Sequence, residues 1–268
     1  MIHLTIRRAW RRGIRRPVWP CAVIGTLLLL ASAAFSPLAA ADGRVETLRL
    51  DAAGVTRLVI DAGAGELLVR ATPGATAIEV TARIAPADTE PDRYELWLRG
   101  EDERASLTAR HLDRGWFSWG EDDRVIDLEV TLPPHLAVQI EDGAGDLEVS
   151  GLRGGLRIED GSGAIEARDL SGPLRIEDGS GTITVRGVAG PVRVDDGSGS
   201  LSVFDVTGDL EIEDGSGRID VVRAGGAVVI QDGSGSIDVR GAASLEVVES
   251  GSGEVTYRDV AGEVTIGD

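Results

Sequence analysis

Carboxylates recur through the second half of this chain at a spacing that invites a chemical reading. Acidic pairs stand at Glu141-Asp142, Glu159-Asp160, Glu177-Asp178, Asp195-Asp196 and Glu213-Asp214, each 18 residues after the last. Oxygen ligands at that density could hold Ca²⁺ weakly, with Asp160, Asp178, Asp196 and Asp214 as the metal-facing set. A calcium β-roll, however, needs an Asp two residues after the second glycine of its turn. That slot holds Leu147, Ile165, Ile183, Leu201 and Ile219 here. Paired acids also serve glycosidases, but a catalytic pair is singular, with one member kept protonated by its surroundings. A pair repeated in every unit behaves as structure: an Asp ahead of a Gly-x-Gly turn can accept hydrogen bonds from the turn backbone. Beyond residue 41 the chain has two histidines, His111 and His135, no Cys and no recognisable serine-nucleophile turn. The expectation is a protein with no catalytic residues and no cofactor.

A second candidate is Gly115-Trp116-Phe117-Ser118-Trp119-Gly120, which gathers three aromatics in a chain that has only five Trp, two Tyr and three Phe. Exposed, Trp116, Phe117 and Trp119 could stack on sugar rings, enter a membrane interface or anchor a partner. The structural alternative is a flap that covers the open end of a core.

The elements that carry these residues follow from one repeat. Asp-Gly-Ala-Gly begins at Asp142, and Asp-Gly-Ser-Gly at Asp160, Asp178, Asp196, Asp214 and Asp232; Ser250-Gly251-Ser252-Gly253 continues the series. Ile140, Ile158, Ile176, Val194, Ile212, Ile230 and Val248 stand two residues before the Asp position. Leu147, Ile165, Ile183, Leu201, Ile219, Ile237 and Val255 stand five after it. A column seven after runs from Val149 to Tyr257, and one four before runs from Val138 to Val228, where Glu246 breaks it. Apolar residues two apart with polar ones between mean strands buried on one face. Each repeat therefore supplies two short strands, such as Leu156–Glu159 and Ala164–Ala167.

Eighteen residues cannot bury their own apolar face, so successive units must stack. Stacked in phase at about 4.8 Å, seven repeats rise roughly 34 Å. The predicted fold is all-β: a parallel β-solenoid of 18-residue coils over 138–268, with a strand-rich N-terminal entry region over 42–137. Leu58, Ile60, Gly63-Ala64-Gly65, Leu67 and Val69 already fit the template as a first coil. Alternating segments at 78–84, 96–98, 107–109 and 126–132 read as an inserted set of strands. Self-association through the C-terminal coil is an alternative that an open sheet edge invites, but it is not the favoured reading: Glu246, Glu249 and Ser250 roughen the last coils, and Tyr257 is expected to fill the end of the core.

Residues 1–41 read as a signal peptide. Six Arg and no acid precede an apolar run from Val18 to Phe35, and Ala39-Ala40-Ala41 supplies small residues for cleavage. The alternative is an uncleaved anchor, since 21–41 is long enough to span a bilayer. Loss of this segment takes the net charge from −18 to −24. So acidic a chain lacks the basic footprint that nucleic acid requires.

The opening Gly-Ala-Gly coil, the strand-rich insertion, the Trp-Phe-Ser-Trp-Gly loop, Leu132-Pro133-Pro134 and the Asp-Gly-Ser-Gly array together resemble the bacterial DUF4097-type putative-adhesin β-strand-repeat family. The resemblance covers nearly all of the chain beyond residue 41. It implies an exported solenoid, in the periplasm or at the cell surface, serving as an adhesion or interaction scaffold for an envelope protein, surface protein or glycan. It brings no catalytic residues. A polysaccharide-binding or polysaccharide-processing β-helix and a self-assembling structural element are the alternatives.

Overall fold

The computed structural model describes residues 43–112 and 124–267. They form strands throughout, with one 3₁₀ turn at Pro91–Arg93 and no α-helix among the described residues. The strands are β1 (Arg44–Asp51), β2 (Arg57–Ala62), β3 (Leu67–Ala71), β4 (Ala77–Ala85), β5 (Tyr94–Glu101), β6 (Arg104–His111) and β7 (Val125–Leu132). Then follow β8 (Ala137–Asp142), β9 (Leu147–Ser150), β10 (Leu156–Asp160), β11 (Gly163–Leu170), β12 (Leu174–Asp178), β13 (Gly181–Val188), β14 (Val192–Asp196) and β15 (Gly199–Val206). The series closes with β16 (Leu210–Asp214), β17 (Gly217–Asp232), β18 (Gly235–Glu249), β19 (Glu254–Val260) and β20 (Val264–Ile266).

The fold is a parallel β-solenoid. On one face β8, β10, β12, β14 and β16 pair in parallel and continue into the second half of β17. On the other face β9, β11, β13 and β15 do the same and continue into the first half of β17. The register steps by 18 residues: Ile158 lies on Ile176, which lies on Val194, and Ile165 lies on Ile183, which lies on Leu201. The apolar columns therefore become ladders of like residues on the inside, with Ile158, Ile176, Val194 and Ile183 fully buried. Burial of one such side chain is worth about 1.5–3 kcal/mol.

A third inward column, Leu152, Leu170, Val188, Val206, Ala224 and Ala242, lines the second bend of each coil. The residue before each takes a positive φ, as at Asp169 (58°), Gly187 (67°), Asp205 (58°) and Arg223 (62°). That bend turns the next side chain inward three residues after the previous inward one. A search for alternation passes over it.

The apolar column of the sequence departs from its 18-residue spacing once. Between β17 and β18 the pairing slips from Ala224–Ala242 to Ala227–Ser244, so Leu245 takes the inward position beside Val228 and Val247 the one beside Ile230. Leu245 and Val247 are buried, whereas Val248, expected inside, bulges out and is 48% exposed. Glu246 therefore does not interrupt the core; it lies on the outer face of an unbroken ladder. The lost residue is regained at once by the bulge at Val248, since Gln231 pairs with Glu249, and the slipped stretch therefore stands 19 residues from its next neighbour, Leu245 on Val264. Tyr257, expected to fill the end of the core, is 47% exposed.

The entry region is threaded out of order. β2 and β3 pair with β8 and β9, Leu58 on Val138 and Leu67 on Leu147. On their other side β2 pairs with β6 and β3 with β7, also in parallel. Thus β6 and β7 make a further coil beneath that of β2 and β3, although they come later in the chain. Antiparallel strands extend this end, β5 beside β6 and β4 then β1 beside β7. The Tyr94 hydroxyl donates to Glu46 at 2.8 Å and ties β5 to β1.

The Gly-x-Gly corner shows what fixes the coil length. Gly163 has φ of +140°, and a Cβ there would lie 1.8 Å from the carbonyl oxygen of Gly145 in the coil below. Gly181 meets Gly163 in the same way. The glycines are needed for the close approach of one backbone to the next as well as for the turn. Gly163→Ala is expected to cost about 2–4 kcal/mol, seen as a fall in Tm, while the neighbouring Ser162→Ala stays within about 0.5 kcal/mol.

Candidate functional site

The acidic pairs of the sequence do not form pairs in space. Adjacent residues of a strand face opposite ways, so each pair splits into an inner and an outer carboxylate. Asp142, Asp160, Asp178, Asp196, Asp214 and Asp232 point inward at the Gly-x-Gly corner and are only 0–8% exposed. Glu141, Glu159, Glu177, Asp195 and Glu213 lie in the adjoining outer row, partly or fully exposed.

The inner column is continuous: Asp142 pairs with Asp160, Asp160 with Asp178, Asp178 with Asp196, Asp196 with Asp214 and Asp214 with Asp232. Toward the entry region the next position in register belongs to Ala62, stacked in turn on Ala109. One oxygen of most of these aspartates caps its own turn. The Gly143 N–H donates to Asp142 Oδ1 at 2.9 Å, and the N–H groups of Ser180, Ser198, Ser216 and Ser234 donate to Asp178, Asp196, Asp214 and Asp232 at 3.0–3.2 Å. The other oxygen, Oδ2, is buried without a hydrogen-bond partner in all five, and Asp160 has neither oxygen satisfied.

Burial first, and then the next aspartate of the column, raise these carboxyls above the ordinary aspartate value. Asp142 rises to about 7, with Asp160 as the neighbouring charge. Asp196 rises to about 6 beside Asp214 and Asp178, and Asp214 to about 6 beside Asp232. Burial, and then Asp178, raise Asp160. Burial raises Asp178 and Asp232 against the pull of their turn N–H groups.

The outer row finds its own partners, although Asp195 adds to the charge that raises Asp196. Arg157 bridges Glu159 (2.8 Å) and Glu177 (2.9 Å) on the next coil, and Arg175 pairs with Glu177 at 2.7 Å. Arg193 joins Glu211 and reaches Glu213 at 2.6 Å. The Arg175 hydrogen bond, with Arg157 behind it, holds Glu177 below the usual carboxylate range. Alternating charge thus stitches neighbouring coils together along the surface.

Among the described residues no group of three or more His, Cys, Asp or Glu side chains is arranged to hold a metal ion. Asp160, Asp178, Asp196 and Asp214 instead lie beneath their own turns. A shallow depression follows the corner, bordered by Glu141, Glu159, Glu177 and Asp195 with the inner aspartates at its floor. His111 packs edge-on to Tyr94, with ring centroids 6.4 Å apart, and His135 is exposed in the turn before β8. Trp116, Phe117 and Trp119 lie outside the described residues. In the chain they fall between β6 and β7.

The sequence matches no protein-family model and no curated protein. Solved structures do resemble it. A putative adhesin from Bacteroides fragilis NCTC 9343 aligns over 80% of this chain and 97% of its own, at 14% identity and a TM-score of 0.54. A putative adhesin from Parabacteroides distasonis ATCC 8503 aligns over 84% and 98%, at 11% identity and a TM-score of 0.43. A putative cell adhesion protein from Clostridium sporogenes ATCC 15579 aligns over 64% and 99%, at 13% identity and a TM-score of 0.39. At such identities the likeness to the Bacteroides protein is one of fold.

Two neighbouring residues separate surface from core. Arg157→Gln, which removes the bridge to Glu159 and Glu177, is expected to cost under about 1 kcal/mol. Ile158→Ala, one residue on but pointing inward, is expected to cost about 2–5 kcal/mol. Urea unfolding of the two variants checks both.

Proposed function

We propose that this chain is an exported bacterial protein without enzymatic activity, whose stiff solenoid serves as an adhesion or interaction scaffold in the cell envelope or at the cell surface. The observation that carries this reading is the outer surface of the array. Rows of Arg, Glu and Asp repeat from coil to coil and are spent on one another, and the acidic depression along the corner is shallow and unwalled. Such a surface offers many weak, equivalent contacts over a length, which suits recognition by summed valency. It does not gather an acid, a base and a nucleophile around one reacting atom.

The Arg-rich, apolar, Ala-ended opening segment supports export. The fold shared with the Bacteroides protein described as a putative adhesin agrees with a surface role, and the motifs resemble the DUF4097-type family more narrowly. The strongly acidic charge directs the reading to a protein or glycan partner and away from nucleic acid.

The test uses intact bacteria expressing the full chain, labelled with an antibody to the array and then allowed to settle on surfaces coated with host-type proteins or bacterial polysaccharides. Labelling of intact cells and retention above that of cells lacking the chain are expected. Labelling only after permeabilisation would move the scaffold to the periplasm. Release of sugar fragments from a polysaccharide coat would replace the scaffold with a processing enzyme.

A further inference from the structure

We propose that the six inward aspartates Asp142, Asp160, Asp178, Asp196, Asp214 and Asp232 form a proton-binding column, in which carboxyl protons bridge oxygens of neighbouring coils and whose deprotonation loosens the corner. The column is a product of register. Each aspartate lies directly on the next in a parallel ladder, at an inter-strand pitch of about 4.8 Å. Turn N–H groups occupy one oxygen, and the buried Oδ2 has no partner. A buried oxygen left unpaired is costly, and a buried charge left unpaired more so.

Among the described residues no arginine pairs with the column. The arginines of these strands, Arg157, Arg175 and Arg193, belong to the outer row and are paired there with Glu159, Glu177, Glu211 and Glu213. The groups nearest the column from its own strands are further acids, Glu141, Glu159, Glu177, Asp195 and Glu213, together with Gln231. Across the corner, Asp146 spends its Oδ1 on the Ala164 N–H. The inward neighbours on both strands, Ile140 and Leu147 in one coil and Ile158 and Ile165 in the next, are apolar. A row of like charges in such a setting is relieved by protons, as in a carboxylate dyad that shares one. A protonated carboxyl donates its O–H to the adjoining carboxylate, so one proton from solvent serves two orphaned oxygens.

The sign of the effect on stability follows. The folded column keeps protons that an unfolded chain releases near pH 4, so its contribution is full below that pH and fades as pH rises through about 6 and 7. The outer acids act in the opposite sense and in another window. Glu177, held low by Arg175, Asp205 by Arg223 and Asp220 by Arg218 give stability that is full above the ordinary carboxylate range and is lost as pH falls from there through their lowered values.

Potentiometric titration of the full-chain protein, native and then unfolded in urea, counts the protons directly. The native form is expected to bind an excess between pH 4.5 and 7, and its Tm to fall as pH rises through that window. In the double variant Asp178→Asn, Asp196→Asn, each carboxamide keeps the turn acceptor and donates an N–H where the proton stood. It should match the parent Tm at pH 4.5, exceed it at pH 8 and bind fewer excess protons. Glu177→Gln, on the outer row, should leave the proton excess between pH 6 and 7 unchanged. Absence of excess protons in the parent protein overturns the column, whatever the variants do. So does an inner variant with the parent's pH dependence, or Ca²⁺ restoring the parent Tm at pH 8 and binding stoichiometrically to the folded chain.

Discussion

One constraint governs the molecule: each coil must lie on the last in phase, backbone against backbone. The corner glycines make this physical. Gly163 approaches Gly145, and Gly181 approaches Gly163, so closely that a single Cβ would push two coils apart. Once the corners are stacked, the strands of the regular coils are stacked with them, because the parallel ladders carry the same register around the coil; only the stretch through Leu245 and Val247 slips by one residue. Apolar residues then meet apolar residues, aspartates meet aspartates, and outer arginines meet the glutamates of the coil beside them. A residue in this fold has its own copies as neighbours above and below, so any property of one residue type is multiplied along the axis.

Much of this was legible in the residues because the period is so regular. The columns through Ile158 and Ile165 named the inward faces, and the stacking followed from the inability of 18 residues to enclose a core. What escaped has definite causes. Val248 was placed inside by counting, but burial and not arithmetic decides register. With one residue missing before Ser244, the strand slides until Leu245 and Val247 face inward, and Val248 is extruded. The column through Leu170 and Val188 escaped because a left-handed residue before each breaks the alternation. The coil of β6 and β7 escaped because its two strands are not joined by a corner of the common length, and because its place in the stack does not follow its place in the chain.

The acidic site was half legible. Glu and Asp read as pairs along the sequence, which suggested shared ligands or a catalytic couple. Strand alternation already separates them: Val138, Ile140 and Asp142 are i, i+2 and i+4 of one strand, so the aspartate had to follow the two apolar residues inward. What alternation does not convey is the extent of the burial, nor the orphaned oxygens, since both depend on how tightly the corners close. The outer arginines stand two residues before the glutamate row, on the same face of the strand, and their reach from one coil to the next is set by the same register.

The threading of the entry region bears on how such a chain comes to be folded as it is made. The coil of β2 and β3 has β6 and β7 on one side and β8 and β9 on the other, so both of its neighbours emerge after it does. The array cannot simply grow from its first coil outward. Residues 57–71 have no stacking partner until the chain has delivered β6 to β9, and long loops must close before any stacking energy is returned. The first stretch of the array is therefore no folding unit by itself: it is a seed that the later chain completes from both sides.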